Sequence, residues 1–226
     1  YSSVCTKEHD LIMDEEITII DSNTRNEKFK NFIINNKIRI IVGLSIIFVI
    51  IIGYLLILEV KERNEIKLAN QFNLVTINFK TENKKITIDQ LTNLINENNP
   101  TYSPLALYFI IDNNLIENKN EINTLFNKII NETKLDKEIK NLIIYKKALF
   151  NSDFVTENDL LKILSPIISS ESVWKAHSLY LLGEYFYSKN EKQKAKEFFE
   201  KILETKNVNS EIKAKSQKRI NRDLSE

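Results

Sequence analysis

The sequence predicts an all-α protein: a single membrane-spanning helix near the N-terminus, followed by a soluble array of helix pairs. Three observations carry this expectation. Residues 40–58 form an apolar run without a charge. Beyond it, apolar residues recur at three- and four-residue spacing in successive blocks, the pattern of a helix with one buried face. Pairs of such blocks recur about every 35 residues, as in repeat arrays. Strand signals are confined to Ile86–Ile88 and an isolated Val155.

The anchor comes first. Ile40–Leu58 reads IIVGLSIIFVIIIGYLLIL. At about 1.5 Å per residue this run covers about 28 Å, close to the ~30 Å hydrocarbon core of a bilayer. Each central Ile, Leu, Val or Phe favours insertion by about 0.3–0.6 kcal/mol. A core helix of this length would keep a polar stripe, and none is present. A cleaved signal peptide would have a shorter apolar core and a small-residue cleavage site. This run instead leads into Glu59-Val60-Lys61-Glu62-Arg63, so a retained anchor over 38–58 is expected. Arg25, Lys28, Lys30, Lys37 and Arg39 precede the apolar run at Ile40, while Lys61, Arg63 and Lys67 follow it among Glu59, Glu62 and Glu65. The positive-inside rule then places 1–37 in the cytoplasm and the large domain across the membrane. Gly43 and Gly53 are ten apart and make no GxxxG face. Only Ser45 and Tyr54 offer hydrogen bonds within the span, so docking through the span is a minor option. The sequence starts at Tyr1 and its sole methionine is Met13; residues 1–12 carry no structural weight, and whether they are native stays open.

After the anchor, 59–100 reads as membrane-proximal helices. Leu68, Phe72, Val75 and Phe79 share one face, so the helix is expected to run to Phe79. Thr81–Lys85 breaks it, and Thr87–Glu97 forms a short helix ended by Asn98-Asn99-Pro100. The array proper occupies 101–226. Pro104 opens a helix in its first turn, with Leu105, Tyr108, Phe109, Asp112 and Leu115 along it. Asn118–Asn120 is expected as a turn, and Ile122, Leu125, Phe126 and Ile129 as the next stripe. Asp136 starts a helix with Ile139, Leu142, Ile143, Ala148 and Leu149, and Thr156-x-x-Asp159 resembles a capping box. Pro166 breaks or kinks the helix it opens. Helices over Trp174–Tyr187, Lys192–Thr205 and Ser210–Leu224 complete three pairs and a capping helix.

The last pair, AHSLYLLGEYFYSKNEKQKAKEFFEKILE, is similar to a tetratricopeptide repeat. Leu182-Gly183 matches the repeat's Leu-Gly, Ala195 its small residue in the second helix, and Phe199 the aromatic after it. Gly183 and Ala195 let two helices approach closely, while Leu179, Leu182, Phe186, Phe198 and Phe199 fill the seam. Asn190 stands where a left-handed turn residue is wanted. Leu179, Ile202 and Asn207 depart from the repeat pattern, and earlier pairs match only in rhythm, so the array is a degenerate one.

The layout from Met13 onward resembles the YfgM-like family: an acidic start (MDEE), a polar helix, one span and a degenerate tetratricopeptide-like periplasmic domain. The pieces that carry the resemblance are FKNFIINNKIRIIVG, NNPTYSPLALYFI and VWKAHSLYLLGEYFYSKNEKQKAKEFFEKI. Tyr102, Leu105 and Ala106 match the family's early motif, with Pro104 in place of a small residue. The resemblance implies an inner-membrane protein associated with the SecYEG translocon and a PpiD-like foldase, assisting newly exported chains. It also implies that the first helix of each pair lines a concave binding face. On the last pair those positions are His177, Tyr180, Glu184 and Tyr187, able to hold an extended peptide by stacking and hydrogen bonding. The competing explanation is that Tyr180 and Tyr187 pack against a neighbouring pair.

Chemistry has little to build on. Outside the span the only glycine is Gly183, too few for a P-loop, a Rossmann turn or a nucleophile elbow. Two histidines and one cysteine make no metal set, and Cys5 and His9 lie in the N-terminal tail. Glu191, Glu197, Glu200 and Glu204 alternate with lysines, as on a solvated helix face. The net charge of +1 argues against nucleic acid. No enzyme, cofactor or small-molecule substrate is expected. An envelope-assembly scaffold or adaptor using the same helices on another complex is the alternative function.

Overall fold

A computed structural model describes residues 3–224, with side chains from Glu27 onward. The residues described are all-helical, with no strand among them. Expectations that concerned Cys5, His9 and the MDEE segment fall outside the described side chains. The chain divides into two compact units, 1–65 and 66–226.

The described residues of unit one belong to a single helix, α1 (Ser3–Ile77). No residue of its apolar run is buried, and most are exposed; Phe48, Val49 and Ile57 are each about two-thirds exposed. The most apolar 18-residue window has a mean hydropathy of 3.1 and no buried share. Apolar exposure of this extent is foreign to the surface of a soluble domain. By length and composition this helix is long and apolar enough to cross a membrane, as a span or a signal anchor would. Ser45 Oγ donates to the Ile41 carbonyl (2.9 Å), so its hydroxyl is satisfied within the helix.

Unit two begins with the last turns of α1, where Leu68 and Val75 are buried. The helix ends at Ile77, two residues short of the expected Phe79. Asn83 is the reason: its side chain donates to the Asn78 carbonyl and accepts from the Lys80 amide, holding the chain in a turn. Phe79 still packs edge-on against Phe109 (5.7 Å). A 3-10 turn (Thr81–Asn83) leads straight into α2 (Lys84–Asn96), so the helix starts three residues before the expected Thr87.

Seven helices follow: α3 (Tyr102–Asp112), α4 (Lys119–Glu132), α5 (Lys137–Asn151), α6 (Glu157–Ile168), α7 (Lys175–Ser188), α8 (Lys192–Glu204) and α9 (Ser210–Asp223). Each packs on its sequence neighbour, and α5 also touches α7, and α7 touches α9. Asparagine writes many of the boundaries. Asn118, expected in a turn, is the N-cap of α4; its Oδ1 accepts from the Asn120 and Glu121 amides. Asn114 and Asn190 sit at positive φ (49° and 63°) just past α3 and α7. After each, a reverse hydrogen bond closes the helix end: the Leu115 amide to Ile110, the Glu191 amide to Phe186, both 2.9 Å. Asparagine tolerates this left-handed turn almost as well as glycine, which the chain hardly uses. The turn at Asn114 also ends α3 at Asp112, leaving Leu115 outside the helix yet buried. Thr156 caps α6 through the Asp159 amide, as expected, but its hydroxyl also donates to Asp159 Oδ2. Pro166 does not break α6. It falls in the last turn, where one missing N–H costs a single bond.

The unit's core falls into two clusters that meet on α5. Ile143 closes the first, with α1 to α4, and the adjacent Ile144 opens the second, with α6 to α9. The second holds the close approach of α7 to α8. Leu182, Ala195 and Phe199 are fully buried, and the Phe198 ring stacks on Phe186 (5.3 Å, 4°). A Cβ at Gly183 would meet the Phe199 ring at 2.7 Å. Burying a phenylalanine contributes about 1.5–3 kcal/mol, and here that burial requires the absence of a side chain on α7.

Gly183→Ala is therefore expected to lower stability. The helix preference for alanine, about 1 kcal/mol, is outweighed by over-packing of about 1–3 kcal/mol. Gly183→Leu is expected to cost more. Phe199→Leu in the Gly183→Ala background should recover part of the loss, as coupled neighbours do. Thermal unfolding followed by circular dichroism checks the order.

Candidate functional site

The four expected face residues lie along one side of α7. His177, Tyr180, Glu184 and Tyr187 are each half-buried, whereas Ser178, Leu179, Leu182 and Phe186 turn into the core. All four already have intramolecular partners among the rings and charges around them.

At the start of the helix, His177 packs among aromatics. Its ring lies 5.1 Å from Trp174 and 6.0 Å, edge-on, from Tyr145 of α5. Tyr145 and Trp174 stack on each other (5.7 Å, 23°), and burial pushes the Tyr145 phenol up. His177 Nδ1 is buried and has no hydrogen-bond partner within the protein. It borders an open cavity of about 600 Å³ between the N-terminus of α7 and the α8–α9 loop, lined also by Ser172, Ala176, Asn207, Asn209 and Ile212. Nearby, Glu138 Oε2 of α5 accepts from Ser172 Oγ (2.8 Å) and the Val173 amide (3.2 Å), which pins the approach to α7.

Further along, the face becomes charged. Arg219 of α9 grips Glu184 with two nitrogens, Nε to Oε1 at 2.7 Å and a terminal nitrogen to Oε2. Its other terminal nitrogen bonds Asp223 Oδ2 (2.6 Å), and the guanidinium lies over the Tyr187 ring (4.6 Å). Hydrogen bonding to Glu184 drives the Arg219 pKa up. The Arg222 and Arg219 guanidiniums hold the Asp223 carboxyl far below the usual carboxylate range. Tyr180 meets the Phe199 ring (5.3 Å), and burial, then the Glu184 charge, push its phenol up.

The structure thus adds Tyr145, Trp174, Arg219 and Asp223 to the face. A second concavity, about 500 Å³, lies between α3 and α5 and is lined by Pro104, Leu105, Tyr108, Ile139 and Leu142. The Tyr108 hydroxyl there is buried without a partner, and burial pushes its pKa to about 12. Of the early motif, Ala106 is fully buried and Leu105 exposed. Among the described residues no group of three or more His, Cys, Asp or Glu side chains is placed to hold a metal ion.

Chemically, the α7 face offers aromatic surfaces, phenol hydroxyls and an internal ion-pair network. No family model matches the chain, and neither a curated protein nor a solved structure is significantly similar to it.

The Arg219 network makes docking of α9 dependent on pH. An unperturbed Asp carboxyl titrates at about 4, and in the fold Asp223 titrates well below that. Its contribution is thus full above about pH 5 and is lost as pH falls through 4 toward the native pKa. Amide hydrogen exchange in α9, after correction for intrinsic rates, should stay level from neutral pH to about 5 and quicken below. Asp223→Asn should flatten the response. Arg219→Ala should speed α9 exchange at every pH, by the equivalent of about 1 kcal/mol for a solvent-screened pair.

Proposed function

We propose that this chain is a membrane-anchored protein-interaction module, an ancillary subunit of the Sec translocon that assists newly exported proteins alongside periplasmic chaperones. On this reading α1 crosses the inner membrane over 38–58, the N-terminal segment is cytoplasmic, and the helical unit is periplasmic. The observation that carries the anchored-module part is the double nature of α1. One helix bears an apolar run with no buried residue and, further on, Leu68 and Val75 buried in the helical unit. The repeat character of the array is part of the proposal. It is supported by the starts of α3, α5, α7 and α9 at 102, 137, 175 and 210, successive offsets of 35, 38 and 35 residues, and by the Gly183–Phe199 approach. The translocon assignment rests on the resemblance to the YfgM-like family.

One observation favours the scaffold alternative. Glu184 and Tyr187 are taken up by Arg219, so the face is partly closed to an unfolded chain and better suited to a folded partner.

In-cell crosslinking followed by affinity purification of the full-length chain in mild detergent tests the assignment. Enrichment of SecY and a PpiD-like foldase over matched membrane proteins is the expected result. Enrichment of another envelope complex, with those two at background, would replace the translocon role by the scaffold role. A topology reporter fused after Glu226 should be active only in the periplasm; cytoplasmic activity would exclude the exported-chain reading altogether.

A further inference from the structure

Ahead of the apolar run, α1 carries a second pattern. Phe29, Phe32, Ile33, Asn36 and Ile40 fall at 0, 3, 4, 7 and 11 along the helix, one face. Phe29 is 67% and Phe32 60% exposed. The one polar member, Asn36, turns its amide back onto the Phe32 carbonyl (3.0 Å). Cations border this face on both sides: Lys30 and Lys37, seven apart, on one, and Lys28 and Arg39, eleven apart, on the other. Glu27 is the only acid from 27 to 39, so the segment carries a net charge of +3 from four cations and one anion. The opposite flank differs. Over 59–67 three cations face three acids, and Arg63 is bound to Glu59 (2.6 Å).

We infer that residues 28–39 form an interfacial collar that binds anionic lipid headgroups. The inference rests on the reading of α1 as a membrane anchor. Aromatic and aliphatic side chains of the face sink toward the acyl boundary, and the long lysine and arginine stems carry their charges out to the phosphates. Charge complementarity selects the partner: net positive charge beside an apolar stripe fits an anionic leaflet, and a zwitterionic one offers it little. The balanced 59–67 flank has no such preference.

Native mass spectrometry of the full-length chain in detergent, with equimolar phosphatidylglycerol and phosphatidylcholine, reads this directly. Retained phosphatidylglycerol should exceed phosphatidylcholine by about fivefold or more, the contribution expected of even one engaged cation, and added salt should erode the excess. Replacing Lys28, Lys30, Lys37 and Arg39 together by Gln should bring the ratio to about one, while Lys61→Gln with Arg63→Gln leaves it unchanged. Equal retention of both lipids by the native chain, or a preference that survives the fourfold change, overturns the inference. Alkaline extraction of cell membranes separates this outcome from failure of the anchor reading. A native chain released to the supernatant defeats the anchor and the collar with it. One held in the membrane without lipid preference defeats only the collar.

Discussion

The contact of Gly183 with the Phe199 ring sets the spacing of the C-terminal half of the second helical unit. Because α7 has no Cβ at this point, the ring lies against its backbone, and Ala195 and Leu182 close the seam around it. That approach brings α8 down on α7 and leaves α9 to pack on α8 while still reaching α7. A helix that buries one stripe is unstable by itself, so each member of the stack depends on the next. Only at the right spacing does Arg219 meet Glu184 and Tyr187.

The charged end of the α7 face follows from that geometry. Arg219 is held by two carboxylates and an aromatic ring, a set of partners that satisfies a guanidinium in a half-buried place. The aromatic end at Tyr145, Trp174 and His177 is built of stacked rings, and His177, whose buried Nδ1 has no partner within the protein, lines an open cavity. The two ends therefore differ: one is closed by α9 through Arg219, and the other borders a cavity.

Much of the fold was legible from spacing because helix periodicity reports which face is buried. Ile122, Leu125, Phe126 and Ile129 are buried as expected, as are Leu160 and Leu164 while Leu161 is only partly buried, and Asn190 takes the left-handed turn. The misses share a cause. Asn118 and Asn83 act through side-chain hydrogen bonds to backbone groups several residues away, so the same residue type makes a cap in one place and a turn in another. The site was half legible: four residues on one side of α7 were visible at helical spacing, whereas their partners on α5 and α9 were not.

Taken alone, the sequence determined the apolar helix, the all-helical class and the close-packing pair at Gly183 and Ala195, since hydropathy, period and side-chain size are local properties. Tertiary structure alone decided that Ile143 and Ile144, adjacent in the chain, serve different cores, and that Glu184 is bound rather than free. Periodicity says that a face is covered; which neighbour covers it depends on how helices distant in sequence pack together.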